Sequence, residues 1–471
     1  MPLQTSKGAE TVATAPTLVR GLNVWHATSI VAGTIIGSGI FLVPAEMMQA
    51  VGSAGLVYLA WIVGGLLSFF GALTYAELGA VRPFAGGEYV YVRDAYGPLP
   101  GFLYGWTWFL IAKPASIASV TAALVRVLST FSSFSFLPHA LFTWHVTSTR
   151  ALSMNYGHLV AIAATVLITT LNYVGVRKAG NFQFAFTVLK VGIIFTVAAV
   201  AFTAATGSWG NFSTTFSGAK GGVAGFMAAL VAALWAYDGW NDLNMVSEEI
   251  ERPERTIPIA LIAGVGLVAV LYIGMNAGIQ RALPATVIAH SAVPAATASE
   301  AALGRIGISL VSIGMIFSML ATLNGTVMSG GRVPFAVARD GYLFKALAEV
   351  HPVFHTPSLA LVIQALVAIA LIVVGGAFRE LFSLAIFAEW LFYMIAASTI
   401  FVFRHREPDE IRPYRTAGYP VVPALFIGTA AVLLYYTFMS NLKDSIAGVV
   451  VILLGIPVYL WFARQKSKTS S

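Results

Sequence analysis

Two short segments, far apart in the chain, place glycines and polar groups inside apolar stretches. The first covers residues 33–39 with the sequence GTIIGSG, and the second covers residues 235–242 with the sequence WAYDGWND. Each glycine costs roughly 1 kcal/mol in a helix interior relative to alanine, so each segment predicts a break in a helix. A break that opens a helix start after Gly39 suits a carboxylate, and a helix end near Ala236 suits an ammonium.

The first segment has an alternative interpretation when it is taken alone. Small residues at close spacing also allow two membrane helices to pack tightly. The second segment favours the break, because interrupted helices at corresponding points of two repeats are typical of a transporter's binding site. A zwitterionic α-amino acid carries both of the charged groups that such a site suits.

The composition indicates which solvent the helices need. Hydrophobic residues make up 58% of the 471 residues and charged residues 10%, against about 25% charged in a soluble domain. The mean hydropathy is +0.81, so lipid must surround much of the chain. The net charge of +7 comes from scattered basic residues, which does not indicate nucleic-acid binding. The absence of cysteine excludes disulfides, thiolate metal sites and cysteine nucleophiles.

The apolar stretches predict an all-α membrane protein. At about 20 residues per span, there are twelve spans, with approximate limits 23–49, 55–80, 98–128, 156–175, 183–205, 223–248, 257–280, 301–331, 357–376, 379–403, 420–440 and 444–463. Spans one and six carry the breaks, as the first helices of two five-helix inverted repeats would. The predicted divisions are a tail (1–22), a first repeat (23–206), a second repeat (221–403), and the last two spans with the C-terminus (404–471).

The loop charges predict the orientation. With the N-terminus inside, eighteen of the 27 Lys and Arg residues fall on the inner side, seven on the outer side and two within spans. This bias follows the positive-inside pattern, so both termini are predicted to be cytoplasmic.

The motifs resemble those of one family. Residues 33–41, residues 235–244 and the pattern EExxxPExxIP at 248–258 are similar to the L-type amino-acid transporters of the amino acid–polyamine–organocation superfamily. The similarity extends over nearly the whole chain, including Asn324-Gly325 in span eight and the loop 404–413. The resemblance implies a twelve-span transporter of the 5+5 inverted-repeat fold, without a cofactor or metal.

The resemblance also implies a substrate site. Backbone N–H groups around Gly37, Ser38 and Gly39 would bind the substrate carboxylate, and carbonyl groups beside the breaks would receive the amino group. Trp235 stands where the family places an aromatic gate, although an aromatic side chain there also packs well. The predicted substrate-binding residues are Thr34, Ile35, Gly37, Ser38, Gly39, Trp235, Ala236, Asp238, Gly239 and Asn241.

Lys190, Trp235 and Asn324 are predicted to serve coupling or gating. A lysine near the bilayer centre costs about 3 kcal/mol, so it normally faces a cavity or a partner. The resemblance places Lys190 between the first break and span eight, where sodium-coupled relatives hold an ion, which implies sodium-independent transport. The alternative is a snorkelling lysine, since the predicted limits put Lys190 only ~10 Å into its span.

Further charged residues leave alternatives open. Asp238 pairs with cationic substrates, as in some branches of the family, or it caps the broken helix or pairs with a cation of the protein. Glu389 in span ten suits a proton-linked role or a structural partner, and Lys113, before Pro114, suits packing or a helix break. Charged residues at the inner loops predict gating ion pairs or ordinary solvated charges: Glu248, Glu249, Arg252, Arg255, Arg332, Arg339 and Asp340.

The predicted function is sodium-independent exchange of neutral L-amino acids across the plasma membrane, with cationic L-amino acids as a second candidate class. The alternative is a proton-coupled symporter or a uniporter; no constellation of residues supports an enzyme. Animal members of the family attach to a glycoprotein partner through a cysteine, which this chain lacks, so no disulfide-linked partner is expected. A stand-alone prokaryotic transporter in the inner membrane is therefore predicted. His26 and His158 are predicted to be packed or interfacial.

Overall fold

The computed structural model describes the backbone of residues 16–145, 151–205, 207–374, 378–440 and 442–470. The first half of the described chain forms, in order, α1 (Val24–Ile35), α2 (Gly39–Val51), α3 (Ala54–Val81), α4 (Glu88–Tyr96), α5 (Pro98–Thr107), α6 (Lys113–Leu128), β1 (Ala140–His145), β2 (Ala151–Asn155), α7 (Tyr156–Tyr173) and α8 (Val176–Phe202).

The second half is helical throughout its regular elements. It forms α9 (Gly222–Ala236), α10 (Asp242–Met245), α11 (Pro253–Ala282), α12 (Ala285–His290), α13 (Pro294–Leu303), α14 (Arg305–Gly330), α15 (Arg332–Arg339), α16 (Ser358–Val374), α17 (Phe378–Arg406), α18 (Val421–Ser440), α19 (Leu442–Leu453) and α20 (Gly455–Ser470).

The predicted all-α membrane architecture is confirmed. Within the described ranges, ten helical segments are long and apolar enough to cross a membrane, and the shorter apolar helices α9 and α16 stand at the sixth and ninth predicted spans. An antiparallel hairpin of β1 and β2 lies in the loop after span three, where the sequence had indicated only a polar connection. The limits of the two repeats, residues 23–206 and 221–403, stay predictions.

The breaks fall in the predicted spans. Residues 36–38 separate α1 from α2 in span one, and residues 237–241 separate α9 from α10 in span six. The helix α1 packs against α8, α11 and α14, so these three helices surround the first break. Span three carries a milder irregularity, a π-helical turn at Trp108–Ala112 between α5 and α6.

One predicted boundary is wrong and affects the site. Span five was expected to begin at residue 183, whereas α8 begins at Val176 and continues through two exposed basic residues, Arg177 and Lys178. These charges masked the helix start in a hydropathy pattern. Lys190 therefore lies 14 residues, or about 21 Å of helix, from the start of α8.

The two predicted packing histidines cap helices. Asn23 and His26 form a capping box at the start of α1, and Asn155 and His158 form the same arrangement at the start of α7. The ring of His26 also lies 2.9 Å from the side-chain oxygen of Asn181 on α8. Each box satisfies backbone N–H groups that a helix start leaves without intrahelical partners.

Both described chain ends lie at one end of the helix bundle. The amide of Leu22 donates to the carbonyl of Glu249 at 3.0 Å, and Lys466 on α20 donates to the carbonyl of Asp340 at 2.7 Å. Glu249 and Asp340 both follow spans that run toward this end. We call it the terminal end, and the opposite one the distal end.

Candidate functional site

The first break presents an open helix start. Ser38 is the N-cap of α2, and its side chain makes no capping hydrogen bond. The N–H of Gly37 donates to the carbonyl of Ile35 at 2.8 Å, which leaves the N–H groups of Ser38 and Gly39 as the donors nearest the break. The first N–H groups of a helix lack intrahelical acceptors and carry the positive end of the dipole, so this end can hold an anion.

The carbonyl groups freed by the first break are satisfied by two neighbouring helices. The Nζ of Lys190 on α8 donates to Gly33 O at 2.6 Å and to Ile36 O at 2.7 Å. From α14, Ser318 donates to Ile36 O at 2.7 Å, and Thr322 lies 3.2 Å from Gly33 O. An unwound segment in lipid survives only when its polar groups find such partners.

Lys190 is completely buried, with no exposed side-chain surface. It touches the back of the first break and is not among the residues that line the adjacent cavity. Its burial and its position deep in α8 exclude snorkelling, which needs a route for the charge to the interface. The Nζ of Lys190 instead stabilises the unwound segment from behind.

The second break depends on a glycine. Gly239 has φ of +105°, a conformation that L side chains rarely adopt. A Cβ at this position would lie 3.1–3.2 Å from backbone and side-chain atoms of Thr34. The close approach lets the hydroxyl of Thr34 donate to Gly239 O at 2.7 Å, which ties the two breaks together.

A tyrosine on a third helix braces the same junction. The hydroxyl of Tyr272 on α11 lies 3.2 Å from Ile35 O and 3.0 Å from Ala236 O. Both carbonyls belong to the last residues of the helices that end at the breaks, α1 and α9. One fully buried phenol therefore bridges the two helix ends.

All ten predicted substrate-binding residues line one cavity of about 120 Å³ between the breaks. Its walls also include residues of α6, α10, α14 and α17 that the predicted site does not contain: Lys113, Ser116, Ser119, Asp242, Thr322, Thr326, Glu389 and Tyr393. The cavity thus offers an open helix start, backbone carbonyls and several charged side chains to one small molecule.

The charged groups of the cavity divide into paired and available ones. Lys113 forms a buried ion pair with Asp242. The hydroxyl of Tyr393 lies 3.0 Å from an oxygen of Asp238 and 3.2 Å from Oδ1 of Asn241. With the lysine neutralised by Asp242, two further carboxylates, those of Asp238 and Glu389, line the cavity. Both carboxyl groups can accept hydrogen bonds from a cationic group of a ligand.

Two predicted gating residues differ in their placement. Trp235 lines the cavity with 36% of its surface exposed, and its ring lies 3.3 Å from where a Cβ on Gly39 would be. Asn324 does not line the cavity: its amide nitrogen donates to Gln183 Oε1 at 2.7 Å and to Ala179 O at 3.1 Å. Asn324 therefore joins α14 to α8, whereas Trp235 stands at the cavity wall.

Three ion pairs lie at the terminal end. They are Arg332–Glu249, Arg339–Glu248 and Arg93–Asp340. The Arg332–Glu249 pair is bidentate, with distances of 2.7 and 2.9 Å, and both side chains are fully buried. It locks the start of α15 to the segment that follows α10.

The spacing of several polar residues in the sequence indicates part of the cavity wall that the predicted site does not contain. Lys113, Ser116 and Ser119 recur every three residues after the π-helical turn, and residues three or four apart share one helix face. Glu389 and Tyr393 are four apart on α17 by the same rule. Thr322 and Thr326 are four apart on α14 in the same way, but a hydroxyl in an apolar span usually bonds to its own helix and so is a weaker signal.

Comparison with known proteins gives the wider context. The model of a family described as amino acid permease matches residues 22–464. The chain belongs to the amino acid permease family. This permease is 30% identical to the serine/threonine exchanger SteT of Bacillus subtilis, over 96% of its own length and 98% of that protein.

Animal transporters match it over similar lengths. The b(0,+)-type amino acid transporter 1 of Mus musculus is 31% identical over 93% of this chain and 86% of the relative. The human cystine/glutamate transporter is 32% identical over 94% of this chain and 85% of the relative. These relatives are transporters and exchangers, which places the permease among membrane transporters rather than enzymes.

Proposed function

We propose that this permease is a sodium-independent exchanger of neutral L-amino acids that also accepts cationic ones. The observation that carries the proposal is the single cavity bounded by both helix breaks, which are tied together by Thr34 and Gly239. The start of α2 and the ends of α1 and α9 carry opposite ends of the helix dipole, and they face the same small cavity. A zwitterion fits both ends at once, which neither a simple anion nor a simple cation does.

The substrate carboxylate lies against the N–H groups of Ser38 and Gly39 at the start of α2. The α-ammonium faces the carbonyls of Ile35 and Trp235 at the ends of α1 and α9, with Asp238 beside it. Backbone groups recognise only the part that all α-amino acids share. Side-chain selectivity then comes from the remaining wall.

Cationic substrates are supported by the charge of that wall. Asp238 and Glu389 line the cavity, while Lys113 is already paired with Asp242. A substrate side chain that bears a positive charge gains an attraction that a neutral one lacks. The b(0,+)-type relative is named an amino acid transporter. Competition experiments identify which amino acids the permease itself accepts.

Sodium independence rests on Lys190. Its ammonium occupies a position behind the first break and donates to two freed carbonyls. A cation site made of carbonyl oxygens needs one positive charge, and a fixed ammonium supplies it permanently. Transport then has no need to recruit a sodium ion from solution.

Alternating access is supported by the difference between the two ends of the helix bundle. At the terminal end, the buried Arg332–Glu249 pair joins α15 to the segment after α10, and we take it as the inner gate. At the distal end, the cavity wall continues along α6 through Ser119 to Ala123. We place the terminal end in the cytoplasm of a prokaryotic cell, as the loop charges predict, so this conformation faces outward. Because the chain has no cysteine, the permease works without a disulfide-linked partner.

Exchange is tested in proteoliposomes that contain the purified full-length permease. Labelled L-alanine should enter vesicles preloaded with unlabelled L-alanine at least tenfold faster than empty vesicles. Equal rates would refute obligatory exchange, and stimulation by an inward sodium gradient would refute the role given to Lys190. A panel of the twenty amino acids competing with the label then defines the substrates.

Proton-coupled uptake is the alternative function. Glu389 on the cavity wall supplies a titratable carboxyl that lies in contact with the substrate space. In that case an inward proton gradient should drive accumulation of L-alanine in empty vesicles. Exchange without accumulation under the same gradient excludes it.

A further inference from the structure

A buried carboxyl group lies directly behind the proposed substrate site. Glu88 begins α4, on the terminal-end connection between spans two and three, and has no exposed surface. Its Oε1 accepts a hydrogen bond of 2.6 Å from the amide nitrogen of Asn241 in the second break. Its Oε2 has no hydrogen-bond partner in the described part of the chain. A buried polar atom in that condition is unusual and calls for an explanation.

The surroundings of Glu88 hold little positive charge. The titratable groups that face it come from α3, α4, α5, α6, α10 and α17, and they are Tyr75, Tyr91, Tyr104, Lys113, Asp242 and Tyr393. Lys113 is the one cation in this set, and it is already paired with Asp242. On the neighbouring α15, Arg332 is paired with Glu249. Burial without a dedicated counter-charge raises the pKa of Glu88 to about 7.

A hydrogen-bonded chain connects this carboxyl group to the cavity. Asn241 donates to Glu88 with its nitrogen, so its Oδ1 faces the hydroxyl of Tyr393 at 3.2 Å. The same hydroxyl lies 3.0 Å from Asp238. A phenol has one proton, so Asp238 and Asn241 compete for it.

We infer that Glu88 is a proton-binding positioning residue that adjusts the substrate cavity through Asn241. The ionised carboxylate can only accept hydrogen bonds, which fixes the amide of Asn241 with its oxygen toward Tyr393. A protonated Glu88 donates to that amide oxygen instead, and the amide reverses. The amide nitrogen then faces Tyr393, and the phenol proton goes wholly to Asp238.

The two states differ in what Asp238 offers to a substrate. With Glu88 ionised, Asp238 shares the phenol proton and keeps more of its accepting capacity for a substrate cation. With Glu88 protonated, Asp238 is capped, and one negative charge near the cavity is lost. Both changes weaken the binding of a positively charged group, so affinity should fall as the pH drops through 7.

This inference rests on the proposed function, and binding measurements separate the two. Dissociation constants of labelled L-arginine and L-alanine are measured on the purified full-length permease between pH 6 and 8, where neither amino acid changes its charge. For the amino acid with the higher affinity, the dissociation constant should be about fivefold larger at pH 6 than at pH 8. A factor of about five is the lower end of the usual range for coupling between two sites. If neither binds at any pH, the proposed function fails. If binding occurs without pH dependence, only the role of Glu88 fails.

Variants assign the pH dependence to one residue. Glu88→Gln should bind with the same affinity at pH 6 and pH 8, and Glu88→Asp should keep a pH-dependent affinity because it keeps a carboxyl group. The matched control is Glu300→Gln, an exposed glutamate on α13, which should follow the wild type. A wild-type pH profile in Glu88→Gln overturns the inference.

A measurement on the wild type decides the matter should Glu88→Gln fail to fold. Coupling between proton and substrate is reciprocal, so substrate binding at pH 7 should release protons. Calorimetric titration in two buffers of different ionisation enthalpy detects this release as a difference in apparent binding enthalpy. Equal enthalpies in the two buffers overturn the inference.

Discussion

The ammonium of Lys190 donates a hydrogen bond of 2.7 Å to the carbonyl oxygen of Ile36, at the point where the first span unwinds. The carbonyl of Gly33 accepts a second bond from the same group. A side chain on α8 therefore holds the first break open without touching the cavity. Hydrogen bonds that involve a charged group contribute about 1.5–3 kcal/mol each.

Replacing Lys190 should therefore slow exchange. We expect Lys190→Met to lower the exchange rate by about tenfold or more, because the loss of one charged bond already corresponds to about that factor. The matched control is Lys178→Met, which removes an exposed lysine from the same helix. Counterflow of labelled L-alanine in proteoliposomes measures both variants, and size-exclusion chromatography reports folding. A folded Lys190→Met protein with wild-type exchange would remove Lys190 from the mechanism.

Asp238 should set the preference for cationic substrates. In Asp238→Asn, we expect the affinity for L-arginine to fall about tenfold, since a charged hydrogen bond of about 1.5 kcal/mol is lost. The affinity for L-alanine should change by less than about threefold. Competition against one labelled substrate measures both, with Glu300→Gln as the control for loss of a carboxylate elsewhere. An equal loss for the two amino acids would mean that Asp238 stabilises the break rather than selecting the substrate.

Gly239 should tolerate no side chain. An L-residue at its φ of +105° is strained by about 1–3 kcal/mol, and a Cβ would meet Thr34 within 3.1–3.2 Å. We expect Gly239→Ala to lower the melting temperature and to reduce exchange, because the bond between Thr34 and Gly239 O is lost with the close approach. In Gly192→Ala, a new Cβ on α8 meets no atom within 4 Å, and the melting temperature should stay the same or rise. Equal melting temperatures in the two variants would contradict this account.

The sequence predicted the breaks but not what surrounds them. Glycine at residues 37, 39 and 239 indicates that the backbone leaves the helical conformation there. Such a local feature can be read from the sequence because it depends on the residue itself. The partners of the breaks, such as Ser318 and Tyr272, come from spans seven and eight and are chosen by three-dimensional packing. A hydroxyl in an apolar span has the same appearance whether it bonds to its own helix or to another.

Lys190 shows why a hydropathy pattern alone can misplace the start of a helix. The predicted start of span five at residue 183 left snorkelling open, because two basic residues near the true start obscured the helix. Once α8 begins at Val176, the same lysine lies deep in the bundle. For Asn324 the sequence motif predicts a gating residue. Its hydrogen bonds to Gln183 and Ala179 instead join two helices outside the cavity.

The buried and exposed ion pairs at the terminal end should differ in their effect on stability. Removing one partner of a buried pair costs about 3–5 kcal/mol, because an uncompensated charge remains, whereas an exposed pair contributes about 0–1 kcal/mol. Arg332→Gln leaves Glu249 buried without its partner. Arg339→Gln breaks the partly exposed pair with Glu248.

We therefore expect Arg332→Gln to lower the melting temperature by several degrees and Arg339→Gln to leave it nearly unchanged. Fluorescence-monitored unfolding of the purified proteins in one detergent measures both. Arg332→Gln, Glu249→Gln removes both charges and should recover part of the loss, since neither side chain then carries a buried charge. We propose that the same pair also closes the route from the cavity to the terminal end. In that case the side chain introduced by Thr326→Cys should react faster with a thiol reagent added from the terminal side when Arg332→Gln is also present. Unchanged labelling would show that the pair stabilises the fold without acting as a gate.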